Sequence, residues 1–525
     1  MKARALLAHG LLAGLLGFVL GTCLQAQAKP QRTTREIEAL NKQYCGGCHL
    51  LPPADLMPKK DWPRVIQAMQ DLTMERDGRP FFPDDVLRDL TAFYYESAPD
   101  ELPRLPYYDD TDSPVAFHLK EIGEKSVLPS VINIRTADLN SDDEPGFLLC
   151  DGESNQVNLL QQVEGEWRES KLADVAIPVN TEVVDYDAYG DRDILVAALG
   201  YYPPSDKLAG RVVVLEQTMA RQFEKKVLLE GVGRITDVRS ADMDRDGDLD
   251  IAVAIFGGNV VGELAWLENR GKGRYQKHTM VNARGGLNMT PTDLNGDDLV
   301  DFISFVSQEN EAIVGIVNLG GGEFKSSTLT QAPHPMFGST GMCLADLDSD
   351  GDQDIVFTNG DNFDLQWDPK PYHGVQWLEN FGRLKLTEAA GAGSGGEVFY
   401  ALKYQEIGRF YGAVDAVVGD MDGDGDMDIV ASSWSNYWDD PRRQSLVWFE
   451  NDGSQSFRRH NIASRPQSIV SLELRDVNND KRLDIVGGVF RVDLLMNVLK
   501  DPEKGLGKET DPKTRVVVFE NRPAD

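Results

Sequence analysis

Short runs of β-branched and apolar residues recur along most of the chain, separated by acidic turns that contain glycine. In one clear copy, residues 235–241 are β-prone, residues 242–248 form an acidic turn, and residues 249–256 are rich in Ile, Val and Ala. The segment Trp266-Leu-Glu-Asn follows, and a Gly-rich turn leads to a last β-prone run that starts at Tyr275. This order predicts four short strands joined by turns.

The same unit occurs seven times, and this repetition predicts the fold. Its acidic turns begin at Asp138, Asp185, Asp242, Asp293, Asp346, Asp420 and Asp476. Successive turns are therefore 47, 57, 51, 53, 74 and 56 residues apart, and the 420 residues from 106 to 525 give about 60 residues for each unit. Seven four-stranded units at this period predict a mainly β fold, a seven-bladed β-propeller.

The region before the repeats has a different pattern. Apolar residues are spaced as on helices in three segments, at residues 34–44, 60–72 and 83–97. Three prolines between residues 99 and 108 mark a linker. The sequence therefore predicts a small all-α domain at residues 29–105, ahead of a propeller at residues 106–525.

The first 28 residues have the pattern of a secretory signal peptide. Lys2 and Arg4 form a short positive region, residues 5–20 are almost entirely apolar, and residues 26–28 read Ala-Gln-Ala, a cleavage signal. The apolar run is too short for the bilayer core, and no other segment is apolar for long enough to span a membrane. We therefore expect a periplasmic or secreted protein. The alternatives are an uncleaved membrane anchor and lipid attachment at Cys23, which has a poor lipoprotein context.

The charge balance limits the class of partner. The chain has a formal net charge of −32, and residues 1–28 contribute +2, so the mature chain carries −34. Such a charge argues against nucleic acid and against anionic membrane surfaces as partners. It is compatible with basic partner proteins and with divalent cations.

Cys45-Gly-Gly-Cys48-His49 is the signature for covalent attachment of a c-type haem. The two thiols add to the haem vinyl groups, and the adjoining His49 reaches the iron as the proximal ligand. A thioredoxin-like Cys-x-x-Cys needs a βαβ context, which this region does not have. A zinc site needs two further ligands, and residues 29–105 hold no other His or Cys. We therefore expect one covalent haem c in a cytochrome c-like domain.

The acidic turns match the ligand pattern of a small, hard cation. Oxygen side chains at positions 1, 3, 5 and 9, with a backbone carbonyl at position 7, can surround Ca²⁺, and Gly at position 6 permits the bend. An EF-hand needs Glu at position 12 and flanking helices, whereas Val253 and Ala431 occupy that position between β-prone flanks. The predicted ligands of five turns are Asp242, Asp244, Asp246 and Asp250; Asp293, Asn295, Asp297 and Asp301; Asp346, Asp348, Asp350 and Asp354; Asp420, Asp422, Asp424 and Asp428; and Asp476, Asn478, Asp480 and Asp484.

The two remaining turns depart from this pattern. Gly146 occupies position 9 of the first turn and Tyr189 position 5 of the second. We therefore expect about five calcium ions, with a structural role because their ligands are used up in turns between strands. The pattern resembles the FG-GAP/VCBS repeats of integrin-like propellers over about four fifths of the chain. This resemblance implies the propeller fold and the metal, and it leaves the function open.

The second axial ligand of the iron has three candidates, because a thioether stabilises reduced iron. Met57 follows His49 by eight residues and would have to fold back sharply. Met74 precedes the last predicted helix by about ten residues, as in small class I cytochromes. The segment Trp62-Pro-Arg-Val-Ile-Gln-Ala-Met69 resembles the Trp-x-x-Val-x-x-x-Met segment of haem modules fused to such propellers. This resemblance favours Met69, with Met74 as the alternative.

Two further features concern the propeller. Cys150 and Cys343 fall in distant repeats and are interpreted as buried thiols, with a disulfide as the alternative. Loops between second and third strands share the face opposite the acidic turns, and long insertions there carry aromatic and charged residues. Such loops suggest a surface for a partner or ligand. These insertions cover residues 200–206, 362–373, 436–443 and 492–514. The connection at residues 391–411 belongs to the same face.

The leading interpretation is an exported electron-transfer protein, in which a haem moves single electrons and a calcium-stiffened propeller docks a redox partner. The sequence contains no Walker A, G-x-S-x-G or H-E-x-x-H motif, so an electron carrier is favoured over an enzyme. One alternative is a haem-linked oxidoreductase with its substrate at the propeller. The other is an adhesion or carbohydrate-binding propeller with an accessory haem.

Overall fold

The computed structural model describes residues 32–47, 49–108, 112–139, 146–203, 205–219, 222–258, 260–308, 311–362, 369–385, 398–492, 494–495 and 511–524. The signal peptide predicted at residues 1–28 and the predicted haem ligand Cys48 lie outside these residues. The chain forms two compact units. The first is Met1–Arg104 with Pro333–Met336 and Asn362–Pro371, and the second is the remainder from Leu105 onward.

Three α-helices form the described N-terminal part of the first unit: α1 (Thr34–Tyr44), α2 (Trp62–Asp77) and α3 (Asp84–Ser97). Short 3₁₀ turns at Cys45–Gly47 and Ala54–Leu56 lie between α1 and α2. Thr33 and Glu36 form a capping box at the start of α1. The buried Trp62 stacks on Tyr94 with ring centroids 4.1 Å apart, which ties α2 to α3. The predicted helices are present, and α2 extends beyond its predicted end, to Asp77.

The second unit is built from β-strands. They are β1 (Val115–Ser126), β2 (Val131–Ala137), β3 (Gly146–Asp151), β4 (Gln156–Val163), β5 (Glu166–Asp174), β6 (Pro178–Val184), β7 (Asp193–Ala198), β8 (Gly210–Met219), β9 (Gln222–Val232), β10 (Ile235–Ala241), β11 (Asp250–Ile255), β12 (Glu263–Asn269), β13 (Tyr275–Val281), β14 (Thr290–Thr292), β15 (Asp301–Val306), β16 (Ala312–Asn318), β17 (Phe324–Gln331), β18 (Ser339–Ala345), β19 (Asp354–Asn359), β20 (Gly374–Lys385), β21 (Val398–Arg409), β22 (Ala413–Gly419), β23 (Asp428–Ser433), β24 (Leu446–Asn451), β25 (Phe457–Ala463), β26 (Ile469–Arg475), β27 (Asp484–Val489) and β28 (Lys513–Pro523).

These strands form seven antiparallel sheets of four strands each, the blades of a propeller. Blades 1 to 6 take four consecutive strands each, from β2–β5 to β22–β25. Blade 7 contains β26, β27 and β28, and its fourth strand is β1, from the other end of the unit. In this pairing Leu119 lies opposite Phe519 and Lys120 opposite Val518. The predicted seven-bladed propeller is confirmed, and β1 closes its ring.

The second strand of each blade holds the core. All six residues are buried in β3, β7, β11, β15, β19, β23 and β27. The apolar residues of these strands pack against neighbouring blades on both faces. Each fully buried large aliphatic side chain stabilises the fold by about 1.5–3 kcal/mol. Cys150 in β3 is a buried free thiol, and Cys343 in β18 is a half-buried one. No helix among the described residues is long and apolar enough to cross a membrane.

Polar side chains connect the first strands of neighbouring blades. A guanidinium N–H of Arg135 in blade 1 lies 3.2 Å from a Glu473 carboxylate oxygen in blade 7. The carboxylate of Asp415 in blade 6 accepts hydrogen bonds from the backbone N–H groups of Ala416 (3.0 Å) and Leu472 (2.8 Å), the latter in blade 7. Burial raises the pKa of Asp415 to about 6. This carboxylate therefore joins two blades, and its burial opposes ionisation more strongly than the two backbone hydrogen bonds favour it.

Candidate cation and haem sites

The acidic turns of blades 2 to 7 lie between first and second strands, as predicted. In blade 3 the turn begins at Asp242, directly after β10, and ends at Asp250, the first residue of β11. Gly247 at its sixth position has φ +96°, and the equivalent Gly351 and Gly425 have φ +95° and +99°. This left-handed conformation favours glycine and allows the turn to curl its side chains inward. In blade 1 residues 140–145 lie outside the described residues.

Within the described residues, four turns gather acidic ligand atoms that all lie within 4.8 Å of one another. Three of these turns were predicted cation sites. The fourth, in blade 2, was doubtful because of Tyr189, but that ring is 85% exposed and Asp191 at position 7 supplies a carboxylate instead. The groups are Asp185, Asp187, Asp191 and Asp193; Asp242, Asp244 and Asp246; Asp346, Asp348 and Asp350; and Asp420, Asp422 and Asp428.

The last aspartate of each turn has a second role, which the sequence analysis missed. The two carboxylate oxygens of Asp250 accept hydrogen bonds from the backbone N–H groups of Met243 (3.0 Å) and Asn269 (2.8 Å). This double contact, here called the aspartate clamp, joins the turn to the end of the third strand. It recurs in blades 2 and 4 to 7, at Asp193, Asp301, Asp354, Asp428 and Asp484.

The clamp carboxylates are buried, at 0–1% exposure. Burial raises the pKa of Asp250, Asp301 and Asp354 to about 6 and that of Asp428 to about 7. The neighbouring carboxylates Asp244 and Asp422 raise the pKa values of Asp250 and Asp428 further. Burial is the main cause of these shifts, and the backbone hydrogen bonds of the clamp oppose it.

The carboxylate groups fit a hard cation. Buried oxygen atoms of Asp185, Asp191 and Asp242, each an Oδ1, have no hydrogen-bond partner among the described residues. A buried polar atom without a partner is unfavourable, and Ca²⁺ binds carboxylate oxygens of this kind in sets of six to eight ligands. The donor set of these turns is therefore the one that Ca²⁺ prefers.

The predicted turns of blades 4 and 7 carry Asn at position 3. Asn295 Oδ1 accepts a hydrogen bond from the backbone N–H of Asp297 at 3.0 Å, and Asn478 Oδ1 accepts one from Asp480 at 2.9 Å. In blade 6 the fifth-position Asp424 bonds in the same way to the backbone N–H of Asp426, at 2.9 Å. These contacts hold the turns in shape and leave further lone pairs on each oxygen. Asp293 and Asp476 begin the turns of blades 4 and 7, and Asp301 and Asp484 end them. The acidic residues of these two turns are not among the described groups whose ligand atoms lie within 4.8 Å of one another.

The asparagine that ends several third strands links neighbouring blades, a role that the sequence analysis missed. Asn318 Nδ2 donates to the carbonyl of Met243 in the preceding blade, at 2.9 Å. Asn521 makes the equivalent contact with Met421, at 2.6 Å. These amides attach the end of one blade to the acidic turn of the one before it.

The haem motif lies at the end of α1. Cys45 begins the 3₁₀ turn, and burial raises the pKa of its thiol to about 11. His49 Nδ1 lies 2.7 Å from the backbone carbonyl of Leu50. A carbonyl only accepts, so a hydrogen bond here is donated by Nδ1–H, and in the neutral ring with this tautomer Nε2 keeps a lone pair. Histidines that bind metals commonly donate their other N–H in this way, so His49 fits an iron ligand.

The three methionine candidates occupy different surroundings. Met57 is fully buried in the helical core, Met69 is half-buried on α2, and Met74 lies on the same helix with 45% of its surface exposed. Each keeps a thioether that could serve as a ligand. Met69 stays the preferred prediction and Met74 its alternative.

Comparison with known proteins identifies the repeats. The family model described as FG-GAP-like repeat matches residues 293–357 and 420–487. The chain carries FG-GAP-like repeats. Each match starts at the first aspartate of one acidic turn and ends in the second strand of the next blade, so the two matches include the acidic turns of blades 4 to 7. A search of curated proteins finds no match.

Solved structures that match most of this chain share little sequence with it. BBS1N in complex with ARL6DN, soaked with lead, is 11% identical with a TM-score of 0.41, and the match covers 79% of this chain and 96% of that one. The PQQ-bound aldose sugar dehydrogenase from Streptomyces coelicolor is 10% identical with a TM-score of 0.37, covering 78% and 99%.

Proposed function

We propose that this protein is an exported c-type cytochrome that transfers electrons and uses its propeller as a binding platform. The observation that carries the proposal is the Cys-x-x-Cys-His motif, and the Nδ1 contact of His49 is compatible with metal binding through Nε2. Cys45 and Cys48 would hold the haem through thioether bonds, and His49 and Met69 would bind its iron. Haem bound in this way supplies one-electron redox chemistry.

The platform role rests on the FG-GAP-like propeller. About five of its acidic turns, with a sixth in blade 2, would hold structural Ca²⁺. The charge of −34 on the mature chain favours a basic redox partner, because opposite charges accelerate the encounter of two proteins. Export to the periplasm or outside the cell is consistent with the N-terminal pattern and with haem attachment at this motif.

Covalent haem attachment tests the proposal most directly. The full chain is expressed with export, denatured, and assayed for haem that stays on the polypeptide. We expect haem on the native protein and on Cys343→Ser, a control that removes a thiol outside the motif. The double variant Cys45→Ser, Cys48→Ser should carry none. Absence of covalent haem from the exported native protein would refute the proposal.

The optical spectrum of the reduced protein distinguishes an electron carrier from a reactive haem. A low-spin spectrum that carbon monoxide does not change indicates iron with two protein ligands, as electron transfer requires. We expect Met69→Ala to open the iron to carbon monoxide and Met74→Ala to leave it closed. The opposite result would assign the ligand to Met74. A native protein that binds carbon monoxide would contradict the carrier function.

A further inference from the structure

Each blade places one residue of its outermost strand opposite a residue near the end of its third strand. In six of these described strand pairs the outer residue is aromatic, and each of the six side chains packs into the apolar cluster between two neighbouring blades. Blade 5 is the exception, with Leu402 opposite Asn380. The aromatic residues, in order from blade 1, are Trp167, Phe223, Tyr275, Phe324, Phe457 and, in the strand β1 of blade 7, Phe117.

A second position contributes large rings to the spaces between blades. Phe324 of blade 4 packs against Trp266 of blade 3, with ring centroids 5.9 Å apart, and Phe457 of blade 6 packs against Trp377 of blade 5 at 6.2 Å. Both tryptophans lie in third strands, three residues before the terminal asparagine. In blade 4 the equivalent residue is Gly315. The interface between blades 4 and 5 therefore receives no aromatic ring from either of these two positions.

A cavity of about 170 Å³ lies at this interface. A β-carbon added to Gly315 would lie 3.1 Å from Leu329 and 3.2 Å from Leu294, so these two leucines occupy part of the space over the glycine. An apolar cavity of about 150 Å³ with walls of this kind stays dry and can bind benzene, so the volume here is that of one aromatic ring. The aliphatic wall residues are Leu294, Ile303, Leu329, Leu344, Ile355 and Leu402.

The polar part of the lining lies at the acidic-turn end of the two blades. Asp293 begins the turn of blade 4, and Gly351 and Asp352 belong to the turn of blade 5. Gly351 and the neighbouring Gln353 are exposed, whereas the deeper wall is aliphatic, so the cavity opens to solvent at this end. Carboxylate and amide oxygens accept hydrogen bonds. The mouth therefore suits a ligand that directs an N–H or O–H group outward while its ring lies inside.

We infer that the pocket between blades 4 and 5 binds a small molecule with a single aromatic ring and a hydrogen-bond donor, such as a phenol. The ring takes the place that aromatic side chains fill between the other blades, and the aliphatic walls supply the apolar contacts that such a ring needs. The inference does not depend on the proposed electron-transfer function.

Fluorine NMR of 4-fluorophenol, titrated against the calcium-saturated full chain, tests this inference. Leu402→Phe supplies the ring that six blades already have at this position, so its side chain should fill the pocket and exclude the probe. Leu344→Phe fills the same pocket from β18 and tests the site even if Leu402→Phe disturbs folding. The control is Leu208→Phe, the same change at an exposed site in blade 2. Fluorobenzene, which has the ring without the donor, tests the polar mouth.

We expect saturable binding of one 4-fluorophenol per chain, with a dissociation constant of about 1 mM or lower. The dissociation constant should rise about tenfold or more in each pocket-filling variant and stay within about twofold in the control. The inference is wrong if binding does not saturate at about 10 mM, or if the native protein and both pocket-filling variants bind with equal affinity. Tighter binding of fluorobenzene than of 4-fluorophenol would contradict the hydrogen-bond donor.

Discussion

The two ends of the propeller blades use one scaffold in different ways. At the acidic-turn end, the aspartate clamp repeats in blades 2 to 7 with nearly the same hydrogen-bond lengths. At the opposite end, the loops differ in length and chemistry from blade to blade. Repetition marks what every blade needs in order to fold, whereas a feature found in one blade is a candidate for function.

The largest expected effect is the removal of calcium from the repeated end. A ligand that binds only the folded state at 100 times its dissociation constant stabilises it by about 2.7 kcal/mol per site. With about five sites, exhaustive EGTA treatment should lower the melting temperature by about 10 °C or more. Calorimetry with and without EGTA measures the shift, and EGTA already saturated with calcium is the control. An unchanged melt would contradict the calcium assignment.

A smaller loss of stability should distinguish the role of the aspartate clamp from that of cation binding. Asp428→Ala leaves two buried backbone N–H groups, on Met421 and Asn451, without their acceptor, which should lower the free energy of unfolding by about 2–5 kcal/mol. Asp422→Ala, in the same turn, removes a predicted ligand that is not part of the clamp. Chemical denaturation in EGTA should therefore retain the loss in Asp428→Ala and abolish most of the loss in Asp422→Ala. Equal losses in EGTA would show that the two residues do not differ in role.

The pH dependence of stability tests a buried group between the two ends, Asp415 in β22. Burial raises the pKa of Asp415 to about 6 in the folded state, so the folded protein holds a proton that the unfolded chain releases above about pH 4. The contribution of Asp415 to the free energy of unfolding is therefore largest at low pH. It falls by up to about 3 kcal/mol as the pH rises from about 4 to about 6. Arg135, which favours the ionised form, and Glu473, which opposes it, face the same group. Denaturation at several pH values in saturating calcium should give a flatter dependence in Asp415→Asn, and an unchanged slope would count against this assignment.

The smallest expected effect lies at the variable end. Arg465 is exposed, so Arg465→Gln should change the free energy of unfolding by no more than about 0.5 kcal/mol. Chemical denaturation of the calcium-saturated protein measures it. A loss comparable to that of Asp428→Ala would mean that this end also carries stability, and the contrast between the ends would fail.

The period of the acidic turns was sufficient to predict seven blades, because each turn marks the same hairpin in every repeat. It could not predict β1 as the last strand of blade 7. That strand has no acidic turn of its own, and its partner β28 follows it by almost the whole propeller in the sequence. Pairing between distant segments depends on ring closure, a property of the complete fold.

The sequence predicted candidate ligands in the acidic turns, and the structure shows what some of their side chains do. Asp250 and its equivalents look like ordinary ligands in the motif, while their backbone contacts depend on a third strand some 20 residues away. The sequence made the blade 2 turn a doubtful site because of Tyr189 at position 5. The structure brings Asp191 from position 7 together with the other three aspartates, and cation binding there stays a prediction. The choice between Met69 and Met74 stays a prediction, because both lie on α2 and spacing alone cannot rank them.

The pairing of β1 with β28 has a consequence for assembly. Lys120 and Val518 are paired although 398 residues separate them, and Arg515 in β28 adds a buried ion pair to Asp151 of blade 1, at 2.6 Å. An open array of repeats can add units one after another, whereas this ring has a single seam that closes only when both ends are present. The seam makes the blades one cooperative body, so a cut near either end of the propeller should loosen blades far from the cut.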